Sequence, residues 1–182
     1  MKVLSGTIRN LLRGTRGTEI AEAAAILPLL FMTIMGIFWF SQAFRLYGTI
    51  TRAAQEGARA GAQPNCSTCS VDSNTQQAIN AVNAVNAVLT TSKLDTTLPA
   101  YPNPRPSFNS CSGVGGTSCI GAASAKVCVQ APVQLSNNFS GSGVCGISVS
   151  FTYPFTFPLP FASIGNRTVN LRAQARVRME TQ

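Results

Sequence analysis

The sequence contains no histidine and little charge of either sign. Of its 182 residues, 14 are basic and 6 are acidic, and charged residues make up 11% of the chain, less than half of the roughly 25% that is usual in soluble domains. Without histidine, general acid–base catalysis would depend on Glu56, Asp72, Asp95 or Glu180. None of these lies in a recognisable catalytic motif, and the chain has no GxSxG or phosphate-binding loop. We therefore expect neither an enzyme nor a cofactor, and instead a membrane or a large buried interface.

The positive charge is concentrated at the start of the chain. No acid occurs before Gly17, whereas four of the 14 basic residues do, namely Lys2, Arg9, Arg13 and Arg16. From Thr18 onward ten basic residues face all 6 acidic ones, a modest excess. Aromatic and arginine side chains are not interleaved in the way that base-stacking surfaces require. The composition therefore argues against nucleic acid as a partner.

A long apolar run follows the basic leader. Residues 23–40 contain Thr33 as the only hydrogen-bonding side chain apart from the indole of Trp39. As a helix this run extends about 27 Å at 1.5 Å per residue, close to the roughly 30 Å of bilayer hydrocarbon. Pro28 predicts a local kink that membrane helices tolerate, and Trp39 and Tyr47 suit the aromatic belt of an interface. We expect a transmembrane helix in contact with the lipid bilayer.

The flanks of this run predict its orientation. Basic residues precede it and all cysteines follow it, so we expect a single-pass inner-membrane protein with a cytoplasmic N-terminus and a periplasmic or extracellular head. A cleaved secretory signal peptide is the alternative. Its apolar core usually spans about 7–15 residues and is soon followed by a small-x-small cleavage site. This run is longer, and "ARAGA", ending at Ala62, lies far beyond Phe40, which disfavours that alternative.

The remaining patterns predict an α+β protein. Helical periodicity continues from the span to about residue 60, where Gly57, Gly61 and Pro64 are plausible stops, and a second helix is expected at 75–94. We expect a basic leader at 1–17, a transmembrane and projecting helix at 18–62, and a disulfide-linked head at 63–182. In that head the second helix packs on an antiparallel sheet.

The last third of the chain alternates apolar and polar residues with a period of two. In "CGISVSFTYPFTF" the apolar residues from Ile147 onward point inward, and Ser148 and Ser150 are expected on a wet face. "TVNLRAQARVRME" alternates in the same way, and "AKVCVQA" predicts a shorter strand with Val127 and Val129 inward. Pro154 and Pro158 predict an edge strand or a bend, and residues 101–121 are expected to form a long irregular loop.

An even set of cysteines on one side of the span predicts disulfides in an oxidising compartment. The six candidates are Cys66, Cys69, Cys111, Cys119, Cys128 and Cys145. Six cysteines allow 15 pairings, and the sequence does not choose among them. The "CSTC" at 66–69 could also be a redox pair or half of a zinc site, but no histidine and no second CxxC exist. We favour structural disulfides and expect no metal.

Three segments together carry a family resemblance. They are "RGTEIAEAAAILPLLF", "TITRAAQEGARAGA" and the closing "LRAQARVRMETQ". A basic leader that ends in Gly17, with Glu22 as the fifth residue after it, is arranged like the processing site of type IV prepilins. Taken together the segments resemble the TadE-like family of the Tad (tight adherence) pilus system, over about the first 62 and the last 30 residues. Here Ala23 follows the glutamate, where many members have an aromatic residue.

The resemblance implies a pseudopilin or minor pilin that a prepilin peptidase cuts between Gly17 and Thr18. Its implied partners are other pilin subunits, contacted through the N-terminal helix, and the Tad inner-membrane platform, assembly ATPase and outer-membrane channel. A role in pilus assembly, adhesion or secretion follows. Cleavage after Gly14, which would make Glu19 the fifth residue, is the competing register. The alternatives in function are a membrane-anchored extracytoplasmic binding domain outside any filament, a tip adhesin and a major subunit.

Two acids near the membrane edge have different expected roles. A buried, unpaired carboxylate costs a few kcal/mol in a bilayer. The α-amino group that cleavage exposes on Thr18 could neutralise Glu22 of a neighbouring subunit and set the axial register. Glu19 more simply favours the positive end of the helix dipole, with Thr18 as N-cap. The small residues at 21 and 23–25 would allow close helix approach.

Overall fold

The computed structural model describes residues 15–63, 73–109, 111, 118–120, 126–136, 144–157 and 167–179. They form two helices, α1 (Thr15–Ala62) and α2 (Ser73–Thr91), and three strands, β1 (Cys128–Ser136), β2 (Val144–Phe157) and β3 (Arg167–Arg178). The strands make one antiparallel sheet in the order β1-β2-β3. The α+β class, the second helix and the antiparallel sheet are thereby confirmed. The chain divides into two compact units, Met1–Ala43 and Phe44–Gln182, and the proposed division at residues 17 and 62 stays a prediction.

In the first unit, α1 presents large apolar side chains outward. These side chains are half to three-quarters exposed, and they are Ile20, Ile26, Leu27, Leu29, Leu30, Phe31, Met32, Ile34, Ile37, Phe38 and Phe40. Pro28 lies inside the continuous helix. The hydroxyl of Thr33 donates to the Leu30 carbonyl oxygen at 2.7 Å, so it leaves no unpaired donor facing hydrocarbon. An 18-residue stretch of this helix has a mean hydropathy of 2.2 and no buried residue, and the helix is long enough to cross a membrane.

The second unit has its own hydrophobic core. One face of α1, with Ile50 at its centre, packs there against α2 and against one face of the sheet. The α1 and α2 residues of this core are mostly small, and they are Ile50, Ala53, Ala54, Ala58, Ala78, Ala81, Val82, Val85 and Leu89. The sheet contributes larger side chains, with Phe151 the largest that is fully buried. Small residues on the helices let two helices lie close to one apolar sheet face.

The register of the sheet explains which residues enter that core. Residues directly opposite each other on paired strands share a face. The apolar face contains the pairs Ile147–Val177, Val149–Ala175, Phe151–Ala173 and Tyr153–Leu171, with Val129 beside Val149. Val127 and Val129 are buried, as predicted from "AKVCVQA".

The opposite face of the sheet corrects one expectation. Ser148 and Ser150 were expected to be exposed to solvent, but both are 0% exposed. The reason is that a segment following α2 lies over this face: the Nε2 amide of Gln130 donates to the Pro106 carbonyl oxygen at 3.0 Å, and the Phe108 ring contacts Arg176. Alternation predicts two faces of a strand, but it does not reveal a loop that covers the polar one.

Pro154 lies in β2, the central strand of the sheet, but in the part of β2 that β1 does not reach, where the strand is locally an edge. β1 pairs with β2 only as far as Ser150, and beyond it Thr152 exchanges two backbone hydrogen bonds with Ala100, both 2.9 Å. Backbone groups two residues apart point to the same side of a strand, so the N–H that Pro154 lacks would point away from β3. The proline therefore removes no hydrogen bond between β2 and β3. Pro158 lies outside the described residues.

The outer edge of β1 is covered and covalently tied. Backbone hydrogen bonds join Cys111 to Pro132, Asn109 to Gln134 and Ile120 to Val129. Disulfides join Cys111 to Cys145 and Cys119 to Cys128. Residues 101–109 are irregular, as predicted. The loop therefore protects an edge that would otherwise expose unpaired backbone groups.

Candidate functional site

The predicted processing segment has a helical backbone. Gly17, Thr18 and Glu22 all lie within α1, and Glu19 and Glu22 have exposed side chains. Thr18 is therefore not an N-cap in this chain, since a capping residue has non-helical backbone angles. Residues four apart lie on the same face of a helix, so Thr18 and Glu22 are separated by one turn, about 6 Å of rise. The predicted cleavage position and the acid that is predicted to pair with the new amine therefore lie within about one turn of the same helix.

Small residues surround Glu22 on the helix. Ala21, Ala23, Ala24 and Ala25 are all exposed, and they present little bulk to a neighbouring helix. In a membrane, small residues allow backbones to approach closely and to gain van der Waals contact. Together with the exposed apolar side chains from Ile26 onward, they form a surface that requires lipid or another helix.

Two glycines that sequence analysis took as helix stops are packing residues instead. Both lie inside α1, which ends at Ala62. A Cβ on Gly57 would lie 2.5 Å from Val85 Cγ2 and 3.0 Å from the Ala81 carbonyl oxygen, and one on Gly61 would lie 2.5 Å from Ile147 Cδ1. The spacing of four residues, which places both glycines on one helix face, was a sequence pattern that could have revealed this contact.

The described carboxylates of the second unit, Glu56 and Asp95, make local contacts. Glu56 forms an ion pair with Arg59, 3.5 Å between Oε1 and Nη1, at an open groove of about 690 Å³ between α1 and α2. Asp95 accepts hydrogen bonds from the backbone N–H and the hydroxyl of Thr97. The Thr97 hydroxyl, followed by its N–H, holds the pKa of Asp95 below its usual value. Asp72 and Glu180 lie outside the described residues.

The described cysteines are all oxidised. Cys111, Cys119, Cys128 and Cys145 form the two disulfides given above, which supports the prediction of structural disulfides for these four. Cys66 and Cys69 lie outside the described residues, so their pairing stays a prediction. Within the described ranges, no three side chains of histidine, cysteine, aspartate or glutamate gather at one place.

Comparison with known families identifies the segment that carries this site. Residues 17–59 match the family model of the TadE-like proteins. This part of the chain is TadE-like. The match begins at Gly17, includes Glu22 and the whole apolar run, and ends at Arg59, in the part of α1 that packs on the head. No curated protein and no solved structure matches the chain significantly.

The TadE-like match confirms the resemblance over the long helix. It indicates a Tad pilus-related, minor-pilin-like protein that interacts with components of the pilus system. The family is structural, and the exposed apolar helix together with this family indicates membrane anchoring. The cysteine-containing head lies outside the matched residues, so the TadE-like segment describes how the protein is anchored and not what the head binds.

Proposed function

We propose that this chain is a TadE-like minor pilin that a prepilin peptidase cleaves between Gly17 and Thr18 and that then joins a Tad pilus or its initiating complex. The observation that supports this most directly is the start of the matched segment at Gly17, five residues before an exposed carboxylate and directly before an exposed apolar helix. A major subunit is less favoured because the head is large for a bulk filament protein.

Hydrolysis after Gly17 would release the basic leader and create an α-ammonium group on Thr18. Glycine in a helix interior is about 1 kcal/mol less favourable than alanine, so the helix unwinds more readily at Gly17 for an extended substrate conformation. Gly17 also offers no side chain that a protease pocket must accommodate. The new cation would lie one helical turn from the Glu22 carboxylate of the same chain. It would also lie at a membrane depth similar to that of the Glu22 carboxylate of a neighbouring copy.

Glu22 would then act in assembly rather than in processing. An exposed carboxylate at the edge of hydrocarbon is costly unless it is neutralised, and an amine from an adjacent subunit would neutralise it only at one axial offset. The exposed alanines around Glu22 let the two helices approach closely enough for that pairing. The platform and assembly ATPase of the Tad system are the partners that would extract the paired subunits from the inner membrane.

The test is the N-terminus of the mature protein. In cells with an active prepilin peptidase, intact-mass analysis should find a chain that begins at Thr18, whereas Gly17→Ala should retain the leader. A wild-type chain that still begins at Met1 in those cells would contradict the pilin proposal and favour an anchored binding domain. A chain that begins at Thr15 would assign the processing site to Gly14 and the assembly role to Glu19.

The role of Glu22 needs a separate variant with a matched control. Glu22→Ala should be processed normally but should be lost from sheared pili or from the purified assembly complex. Glu19→Ala removes an acid from the same helix and should be processed and incorporated like the wild type. Normal incorporation of the Glu22 variant would remove its proposed role.

A further inference from the structure

A row of arginines lies on the polar face of the sheet. Arg172, Arg176 and Arg178 are exposed and belong to β3, with Arg172 opposite Thr152 and Arg176 opposite Ser148. Residues two apart on a strand point to the same face and lie roughly 7 Å apart. The three guanidinium groups therefore follow one line of about 20 Å along the strand.

The covering segment contacts one arginine of the row and carries another arginine, Arg105, that is also stacked on a ring. The guanidinium carbon of Arg176 lies 4.6 Å from the centre of the Phe108 ring, and that of Arg105 lies 5.5 Å from the Tyr101 ring. Arg105 adjoins Pro106, whose carbonyl oxygen accepts the hydrogen bond from Gln130 on the same polar face. A guanidinium stacked on a ring loses freedom but keeps its in-plane N–H donors available for a carboxylate or phosphate.

The described acids do not neutralise this face. Glu56 is paired with Arg59 on α1. Asp95 is bound by Thr97, and its backbone N–H lies 3.2 Å from the hydroxyl of Tyr153, a residue of the opposite, apolar face. Glu19 and Glu22 belong to the first unit. Among the described residues, these arginines therefore have no acidic partner.

We propose that the arginine row, defined as Arg172, Arg176 and Arg178, binds a linear polyanion that carries carboxylates, specifically a polyuronate polysaccharide. A line of separated donors suits an extended chain with repeating anions, because several weak charge-assisted contacts add along it. This binding is a property of the head and goes beyond the proposed role in pilus assembly.

Two other anionic partners suit the row less well. Non-specific binding of single-stranded nucleic acid uses open aromatic platforms, but Phe108 and Tyr101 are already covered by guanidinium groups. An anionic membrane surface is usually contacted by basic and apolar side chains together. The described β3 residues of the polar face are instead Thr168, Asn170, Arg172, Gln174, Arg176 and Arg178, a set without an apolar member.

The test measures binding of fluorescent polygalacturonate to the purified full chain in neutral phosphatidylcholine nanodiscs. The double variant Arg172→Gln, Arg178→Gln should bind about tenfold more weakly, since each exposed charge-assisted contact adds modestly. A control variant, Arg52→Gln, Lys93→Gln, removes the same charge from the helical layer and should bind like the wild type. Unchanged thermal unfolding of the β3 variant would show that its fold is intact.

Four outcomes would overturn the proposal. Wild-type affinity in the β3 variant would exclude the row, and an equal loss in the control variant would show attraction to net charge only. Tighter binding of oligo(dT), or displacement of polygalacturonate by phosphatidylglycerol vesicles, would assign the row to nucleic acid or to membranes. Because no processing or filament is needed, a negative result leaves the pilin proposal unaffected, and a Met1 start in cells leaves this one unaffected.

Discussion

The two units of the chain use apolar residues in opposite ways. In the first unit α1 exposes large side chains such as Phe31, 57% accessible, whereas in the second unit the same helix buries Ile50 and small residues such as Ala54 and Ala58. Burial of apolar area is the main favourable term in folding, so the head supplies its own stability while the first unit depends on an external apolar environment. The same helix therefore has an exposed apolar surface, suited to a membrane or an assembly, and a buried apolar surface that packs against the head.

The contrast is tested most strongly by a pair of phenylalanines. Phe151 is 0% exposed at the centre of the head core, so Phe151→Ala should lower the free energy of unfolding of the head by about 3–5 kcal/mol. Phe31→Ala should leave that free energy unchanged. Denaturant unfolding of the full chain in detergent micelles, followed by near-ultraviolet circular dichroism, measures both. Equal destabilisation by the two variants would contradict a head that is stabilised by its own core.

The disulfides should give the next largest effect, because each of them closes a loop of the chain within the second unit. Cys111–Cys145 spans 34 residues and Cys119–Cys128 spans 9, and loop-closure entropy predicts contributions of about 4 and about 2.5 kcal/mol. Replacing each pair by two serines should lower the head's unfolding free energy in that order. Intact-mass analysis of each variant must show the other disulfide still formed. The reverse order would mean that packing around Cys128, and not chain entropy, decides the effect.

How much of this could be predicted follows from the range of each interaction. Helix and strand periodicities are local, so α1, α2 and the apolar face of β2 were predicted from the sequence. The candidate site, which depends on Gly17 and Glu22 lying five residues apart on one element, stays a prediction. Burial of Ser148 and the hydrogen bond from Gln130 to Pro106 depend on a loop that returns over the sheet. No local sequence pattern predicts that this loop folds back over the sheet.

Disulfide pairing and glycine packing were missed for the same physical reason. The sequence allowed 15 pairings of six cysteines, and only the tertiary fold places Cys111 beside Cys145. Gly57 was interpreted as a helix stop because glycine weakens helices. Its actual role depends on Ala81 and Val85 of α2, which follow it in the chain by more than twenty residues.

A smaller effect should distinguish glycines of the same helix. Gly57→Ala places a methyl group 3.0 Å from the Ala81 carbonyl oxygen, and such overpacking costs about 1–3 kcal/mol. Gly48→Ala meets nothing within 4 Å and should gain up to about 1 kcal/mol from helix propensity. The same unfolding assay should therefore show changes of opposite sign. Stabilisation by both substitutions would show that α1 and α2 can separate without cost.

The smallest effect concerns Tyr153, at the end of the apolar face. Its hydroxyl accepts a hydrogen bond from the Asp95 N–H at 3.2 Å, so Tyr153→Phe should cost about 0.5–1.5 kcal/mol. Burial raises the pKa of Tyr153 above its usual 10.0. The hydrogen bond from the Asp95 N–H lowers this pKa by less, and the nearby charge of Asp95 raises it further.

The direction of the pH dependence follows from this pKa shift. Because the folded protein keeps the phenol proton to higher pH than the unfolded chain, the contribution of Tyr153 is complete below pH 10.0 and is lost as the pH rises toward the folded pKa. The unfolding free energy of the wild type should therefore decline more steeply above pH 10.0 than that of Tyr153→Phe. Parallel slopes for the wild type and Tyr153→Phe would show that the phenol is as well solvated in the folded head as in the unfolded chain.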